Sequence, residues 1–231
     1  MVHRKIAVIG IGQFGESIAK NLSKKGAEVL AIDKLQENIE RVSDDVSLAV
    51  AIDATDKKAL LSQNILEFDA VVVAIGESFE QRLLCVALLL DLGVKRIIAR
   101  CGGKSQRIIL EKLGVKELWS PEEEVGAIVA ERLLNPSVMS YLQLPDDYRI
   151  VEMLTPKKVV GRSIQDLNFR DRYKLSLVTI KKEENVTVNN MVTSVYHVVG
   201  VPGTDYVINS TDRLLLFGKN KDIDRFIEIN E

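Results

Sequence analysis

Three glycines, Gly10, Gly12 and Gly15, follow the apolar run Ile6-Ala-Val-Ile9, and an aspartate, Asp33, closes the next apolar run, Val29-Leu-Ala-Ile32. These residue types at this spacing can hold a phosphate and a sugar. Gly10 permits a tight turn, Gly12 lets the backbone approach a phosphate, and Gly15 lets the following helix lie close to the strand. The start of that helix offers unpaired N–H groups and a partial positive charge. Asp33 stands twenty-three positions after Gly10, near the ~20 at which an acid accepts hydrogen bonds from ribose hydroxyls. Its two oxygens suit a 2′,3′-diol and repel a 2′-phosphate. A doubly wound fold whose pocket holds nothing is the alternative reading of the same residues.

Other chemistries find less support. Hydride transfer needs an acid or base over the substrate, commonly histidine, and the chain has only His3, before the first strand, and His197, on a strand far along the chain. No Tyr and Lys pair at helical spacing follows the fourth strand. Cys85 and Cys101 show no metal-ligand spacing and fit a reducing cytoplasm, with Cys85 in Leu-Leu-Cys-Val-Ala a small core residue. The net charge of −2 gives no footprint for nucleic acid, and no basic helix-turn-helix pattern occurs. With 46% hydrophobic and 28% charged residues the chain reads as an ordinary soluble protein. Its longest apolar stretch, Leu83 to Leu90, falls far short of the ~20 residues of a spanning helix. The first strand starts so near Met1 that no leader is expected.

From residue 4 to 119 strands and helices alternate. Strands are expected at Lys5–Ile9, Glu28–Ile32, Ser47–Ile52, Ala70–Ala74, Arg96–Arg100 and Glu117–Trp119, and helices at Gln13–Lys25, Gln36–Val42, Lys57–Gln63, Phe79–Leu92 and Lys104–Leu113. Such alternation implies right-handed crossovers and a Rossmann-like, doubly wound parallel sheet of about six strands. Ser120-Pro-Glu-Glu-Glu124 then carries a helix start, with Ser120 as cap and Glu123 closing a capping box. The helix should run to Leu134 and break at Asn135-Pro136, with a shorter helix from Ser137 to Leu142. The Leu144-Pro-Asp-Asp147 cluster sets an expected domain boundary. Residues 148–231 read as a small α+β domain, with strands at Arg149–Leu154, Leu175–Lys181, Ser194–Val199 and Arg213–Gly218 and helices near Ser163–Leu167 and Lys221–Ile229. The polar stretch between Lys182 and Thr211, with Asn189-Asn190, suits a hairpin. The expected division is therefore 1–119, a 120–147 crossover helix and linker, and 148–231.

Gly10, Gly12, Gly15 and Asp33, Asp53-Ala-Thr-Asp56, Val72-Val-Ala-Ile75, Ile98-Ala-Arg100 and Leu113-Gly-Val115 leading to Pro121-Glu122 together resemble RCK (KTN) domains. Gly161-Arg-Ser-Ile-Gln-Asp-Leu167, Arg172-Tyr173 and Asp212-Arg-Leu-Leu-Leu-Phe-Gly218 are similar to the C-terminal domain that accompanies them. The pairing, covering nearly the whole chain, looks like the cytosolic regulatory subunits of Trk/Ktr-type potassium uptake systems. The resemblance implies a regulator that is not an enzyme: a homo-oligomer whose dimers assemble as a tetramer of dimers, a homo-octamer ring, cytoplasmic and peripheral to a membrane-embedded potassium transporter subunit, without membrane insertion or nucleic acid of its own. It implies an adenine nucleotide as ligand, ATP/ADP or NAD(H). Gly10, Gly12, Gln13, Phe14 and Gly15 would form the phosphate turn, Asp33 and Lys34 the ribose end, Asp53, Ala54 and Thr55 the adenosine wall. Ala74, Ile75 and Gly76 would close over the nucleotide, and Arg100 would reach phosphates. Glu122 matches an acid that in some relatives helps hold a divalent cation; three acids in a helix's first turn also simply complement its dipole. Gln13 departs from the arginine that many members carry after the second glycine, and it brings hydrogen bonds without charge. The alternative is an NAD-dependent oxidoreductase or an NAD(H)-binding redox sensor.

Overall fold

The computed structural model describes residues 4–188 and 191–231; His3 and Asn189-Asn190, named above for the expected hairpin, lie outside the described residues. Contacts group the chain into two compact units, Met1–Glu124 and Val125–Glu231. In the first, six strands, β1 (Lys5–Ile9), β2 (Glu28–Asp33), β3 (Leu48–Ala51), β4 (Ala70–Val73), β5 (Ile97–Arg100) and β6 (Glu117–Trp119), make one parallel sheet in the order β3-β2-β1-β4-β5-β6. Helices α1 (Gln13–Lys24), α2 (Gln36–Glu40), α3 (Lys57–Ser62), α4 (Phe79–Asp91) and α5 (Gly103–Leu113) connect them. The central strands are apolar throughout because both faces are covered. Ala7, Ile9, Val71 and Val73 pack into one layer with Cys85 and Leu89 of α4, while Val8, Ala31 and Val72 pack into the other with Ile11 and Ala19.

The expected capping by Ser120 is not what its hydroxyl does. It is buried and donates to the Cys101 carbonyl oxygen, 2.9 Å away, which ties the end of β6 to the end of β5. Helix α6 (Pro121–Leu134) then carries the chain from the first unit into the second.

The second unit is built on an antiparallel sheet, β10-β9-β11-β8-β7, of β7 (Val138–Gln143), β8 (Tyr148–Leu154), β9 (Ser176–Val188), β10 (Met191–Val198) and β11 (Arg213–Lys219). Helices α7 (Ile164–Leu167), α8 (Phe169–Tyr173) and α9 (Asn220–Asn230) complete it. The core joins Met153, Ile180, Leu214 and Leu216 to Phe169, Tyr173 and Phe226, with the Tyr173 ring edge-on to Phe226 at 4.9 Å. The helix expected over Ser137–Leu142 is instead strand β7. Its buried Val138 and its Tyr141 pair with Met153 and Val151 of β8, so a ladder partner decides a short segment whose local preference is ambiguous. Pro145-Asp146-Asp147, where the last domain was expected to begin, forms the turn of that β7–β8 hairpin. Asp146 and Asp147 have φ of 58° and 60°, the sign pattern of a type I′ turn.

Glycine is obligatory at two places in the first unit. Gly10 has φ +91°, and a Cβ there would lie 2.7 Å from the Ile75 nitrogen. A Cβ on Gly15 would fall inside the Gly10 carbonyl oxygen. Gly15→Ala therefore has to push α1 off the turn, and we expect a loss of roughly 1–3 kcal/mol in stability from overpacking, read as a lower urea midpoint with an unchanged slope. A midpoint equal to that of the parent chain would show that α1 does not depend on this contact.

Candidate functional site

The strand order reverses between β1 and β4, and their carboxyl ends stand side by side. Crevices of open α/β sheets lie at such points, outside the strand ends. Here the crevice is a cleft of about 940 Å³, within the range of small-molecule sites.

The sequence-derived candidates surround it. Gly10, Gly12, Gln13 and Phe14 line it from the turn after β1, Asp33 and Lys34 from the end of β2, and Asp53, Ala54 and Thr55 from the loop after β3. Ala74, Ile75 and Gly76 come from the loop after β4, Arg100 from the end of β5, and Glu122 from the first turn of α6. Gly15 alone of the set is absent from the lining, because it is packed against Gly10 behind the turn. Asp56, next to the Asp53 wall, caps α3 by accepting from the N–H groups of Lys58 and Ala59.

The helix cap at the turn is Gly12, which has no side chain to accept from the first helical N–H groups. Those donors are left to a ligand at the positive end of α1. Asp33 braces the turn: the Ile11 N–H donates to its Oδ2 at 2.6 Å and the Leu35 N–H to its Oδ1 at 2.8 Å. Each oxygen keeps a lone pair for a ribose hydroxyl. Asp53 is held by Thr55, whose hydroxyl and N–H donate to Oδ1 at 2.6 and 2.9 Å. Those bonds, with Lys34 at 3.7 Å, keep its carboxyl below the ordinary range.

Arg100 pairs with Glu122 and lies 5.8 Å from the Phe14 ring centre. Gly76 makes room for it, since a Cβ there would sit 2.6 Å from its guanidinium. The Glu122 carboxyl is held below its ordinary value, first by its own backbone N–H and then by Arg100. Among the described residues no group of three His, Cys, Asp or Glu side chains gathers as a metal site.

Two arginines that the sequence reading passed over hold the cleft together. Arg82 is 3% exposed; its guanidinium donates to the carbonyl oxygens of Ile75, Gly76 and Arg100 and to Gln106 Oε1, at 2.6 to 3.2 Å. It thus ties the loop after β4 to the end of β5, and burial followed by the nearby Arg100 charge lowers its pKa. Its signal in the sequence is a cation on the same helix face as the buried Cys85, Val86 and Leu89. Arg41 donates to the Ile11 carbonyl oxygen at 3.0 Å and to Asn38 at 2.8 Å, holding the turn from the other side. His197 stands on β10, 4.0 Å from a Glu184 oxygen and mostly exposed, and takes no part in the cleft.

Sheet order, glycine turn and cleft define a Rossmann-type doubly wound domain, followed here by a small α+β domain. The TrkA-N domain model matches residues 6–121 and the TrkA-C domain model residues 148–230, and the chain belongs to this TrkA-N/TrkA-C family. It is 34% identical over 224 residues to Ktr system potassium uptake protein A of Bacillus subtilis (strain 168), covering 97% of this chain and 96% of that one. Ktr system potassium uptake protein C of the same bacterium is 31% identical over 223 residues, covering 96% of each. Among solved structures, the GsuK channel bound to NAD superposes with a TM-score of 0.55 at 18% identity over 100% of this chain and 39% of the channel chain, a likeness of fold.

Arg82→Met keeps the volume and removes every donor, leaving buried carbonyl oxygens unpaired. Loss of at least about 2 kcal/mol in urea unfolding is expected, with partial recovery in Arg82→Lys. A neutral Arg82→Met would show that the cleft does not rest on this side chain.

Proposed function

We propose that the chain is the nucleotide-sensing, gating subunit of a potassium uptake system. One observation carries the reading: a cleft at the sheet's switch point joins an uncapped helix start to an acid at ribose distance, in a chain similar along nearly its whole length to potassium uptake proteins. The ligand is an adenine nucleotide, with phosphates on the Gly12–Gly15 turn, ribose on Asp33 and adenosine along Asp53–Thr55. ATP and ADP are the first choice. NAD(H) is the second, favoured by Gln13, which puts no charge beside the last phosphates.

We read the chain as a switch rather than an oxidoreductase. Among the described residues that line the cleft none is histidine, cysteine or tyrosine, the groups that commonly serve as acid, base or nucleophile near neutral pH. For a divalent cation Glu122 supplies one carboxylate, already paired with Arg100. The described residues of a single chain do not fit such an ion.

Exposed Val125, Val129, Leu133 and Leu134 on α6 support assembly with further copies of the chain into a ring of dimers. No helix among the described residues is long and apolar enough to cross a membrane; the similarity to Ktr system potassium uptake proteins supports placing the pore in a membrane-embedded partner. A nucleotide can drive such a gate only through different affinities for its two states. A coupling of ~1–3 kcal/mol per site, summed over a ring, biases it substantially.

Calorimetric titration of the full chain with ATP, ADP, NAD⁺ and NADH tests the ligand. Asp33→Asn should weaken adenine nucleotides by roughly 1.5–3 kcal/mol. Gln13→Arg should raise the ATP-to-ADP affinity ratio about tenfold, ~1.4 kcal/mol, because only ATP brings a γ-phosphate. Binding of none of the four removes the sensing role. Potassium flux through the reconstituted transporter subunit that ignores a bound nucleotide removes the gating role.

A further inference from the structure

We propose that the C-terminal unit carries a second anion site, sized for a phosphoryl or pyrophosphoryl group, in the cleft between α8 and α9. Arg172, Tyr173 and Lys174 from the end of α8 meet Lys221, Asp222 and Arg225 of α9 around a cavity of about 350 Å³. Four cations thus face one acid, on a chain whose net charge is −2. Among the described residues none of the four cations lies within ion-pair distance of a carboxylate. Other basic side chains of this unit are paired: Arg149 with Glu131 and Asp224, and Lys181 and Arg213 with Glu152.

Four like charges against a single carboxylate repel one another, and a bound anion lowers that repulsion. Lys174 adds to the case, because it has φ +57°, a conformation that costs a side chain and suits glycine. The ligand class follows from the donors. Two guanidinium forks fit tetrahedral phosphate oxygens in pairs, and two ammonium groups supply point charge. The Tyr173 ring is no platform for a base, being buried, edge-on to Phe226 at 4.9 Å and covered by Arg172 at 5.2 Å. The cleft therefore recognises the phosphoryl group itself, whether on a soluble phosphate compound or on the headgroup of an anionic lipid.

The test uses the full chain and two probes: inorganic pyrophosphate by calorimetry, and phosphatidylcholine vesicles with and without phosphatidic acid by co-sedimentation. The triple variant Arg172→Gln, Lys221→Gln, Arg225→Gln should weaken binding of at least one probe by about tenfold or more. It should keep the parent's circular dichroism, and Lys112→Gln, at an exposed cation outside both clefts, should keep the binding that the triple variant loses. Loss with pyrophosphate identifies a soluble ligand, and loss with the acidic vesicles alone a lipid headgroup; both support the site. Binding of neither probe by the parent chain, or equal binding by the folded triple variant, overturns it.

Discussion

The close seat of α1 on the turn after β1 is the constraint on which the rest of the first unit depends. The Gly10 carbonyl oxygen occupies the space that any side chain at Gly15 would need, and Gly10 in turn is pressed against the backbone of Ile75. Three backbones, from the ends of β1 and β4 and the start of α1, therefore meet without side chains between them. This meeting points the unsatisfied N–H groups of α1 into the cleft rather than into a neighbouring side chain. Arg82 holds the loop after β4 and Arg41 the turn after β1, each through carbonyl acceptors, so both rims of the cleft are braced by the chain's own side chains.

The charges around the cleft suit exchange more than tight capture. Position 13 offers an amide, and the nearest cation to the turn's far side, Arg100, is already engaged by Glu122. In the proposed sensing role, a phosphate group that takes the Nη2 donor of that guanidinium displaces the carboxylate. The Glu122 side chain is 58% exposed, and pairs of this kind are worth only ~0–1 kcal/mol. Displacement therefore costs little and frees a carboxylate at the start of α6. Ligands with and without a phosphate in reach would differ in whether they free that carboxylate, and a sensor works only through such a difference between its states.

Much of this was legible in the sequence, because parallel strands buried on both faces and amphipathic helices leave distinct periods. Ile6–Ile9, Val29–Ile32 and Ala70–Val73 read as buried strands, and the glycine spacing placed the turn. Asp33 was legible as the acid at the end of β2, where a ribose is proposed to sit, while its part as a brace for Ile11 and Leu35 needed the folded loop. Arg82 was hidden for a similar reason: its acceptors come from residues 75, 76 and 100, which only the sheet order brings together. Strand β7 was misread as helix because Val-Met-Ser-Tyr-Leu is too short for either period to dominate. Its partner β8 lies beyond a Pro-Asp-Asp turn that looks like a linker in one dimension. The five-residue helix α8 was missed because it is fixed by the packing of Phe169 and Tyr173 on Phe226, not by local pattern.

A crystal structure of the chain with ATP tests the central claim most directly. The account predicts the ribose hydroxyls donating to the Asp33 carboxylate and the phosphates accepting from the N–H groups at the start of α1. A nucleotide bound outside this cleft, or lying in it with its ribose turned away from Asp33, would contradict it.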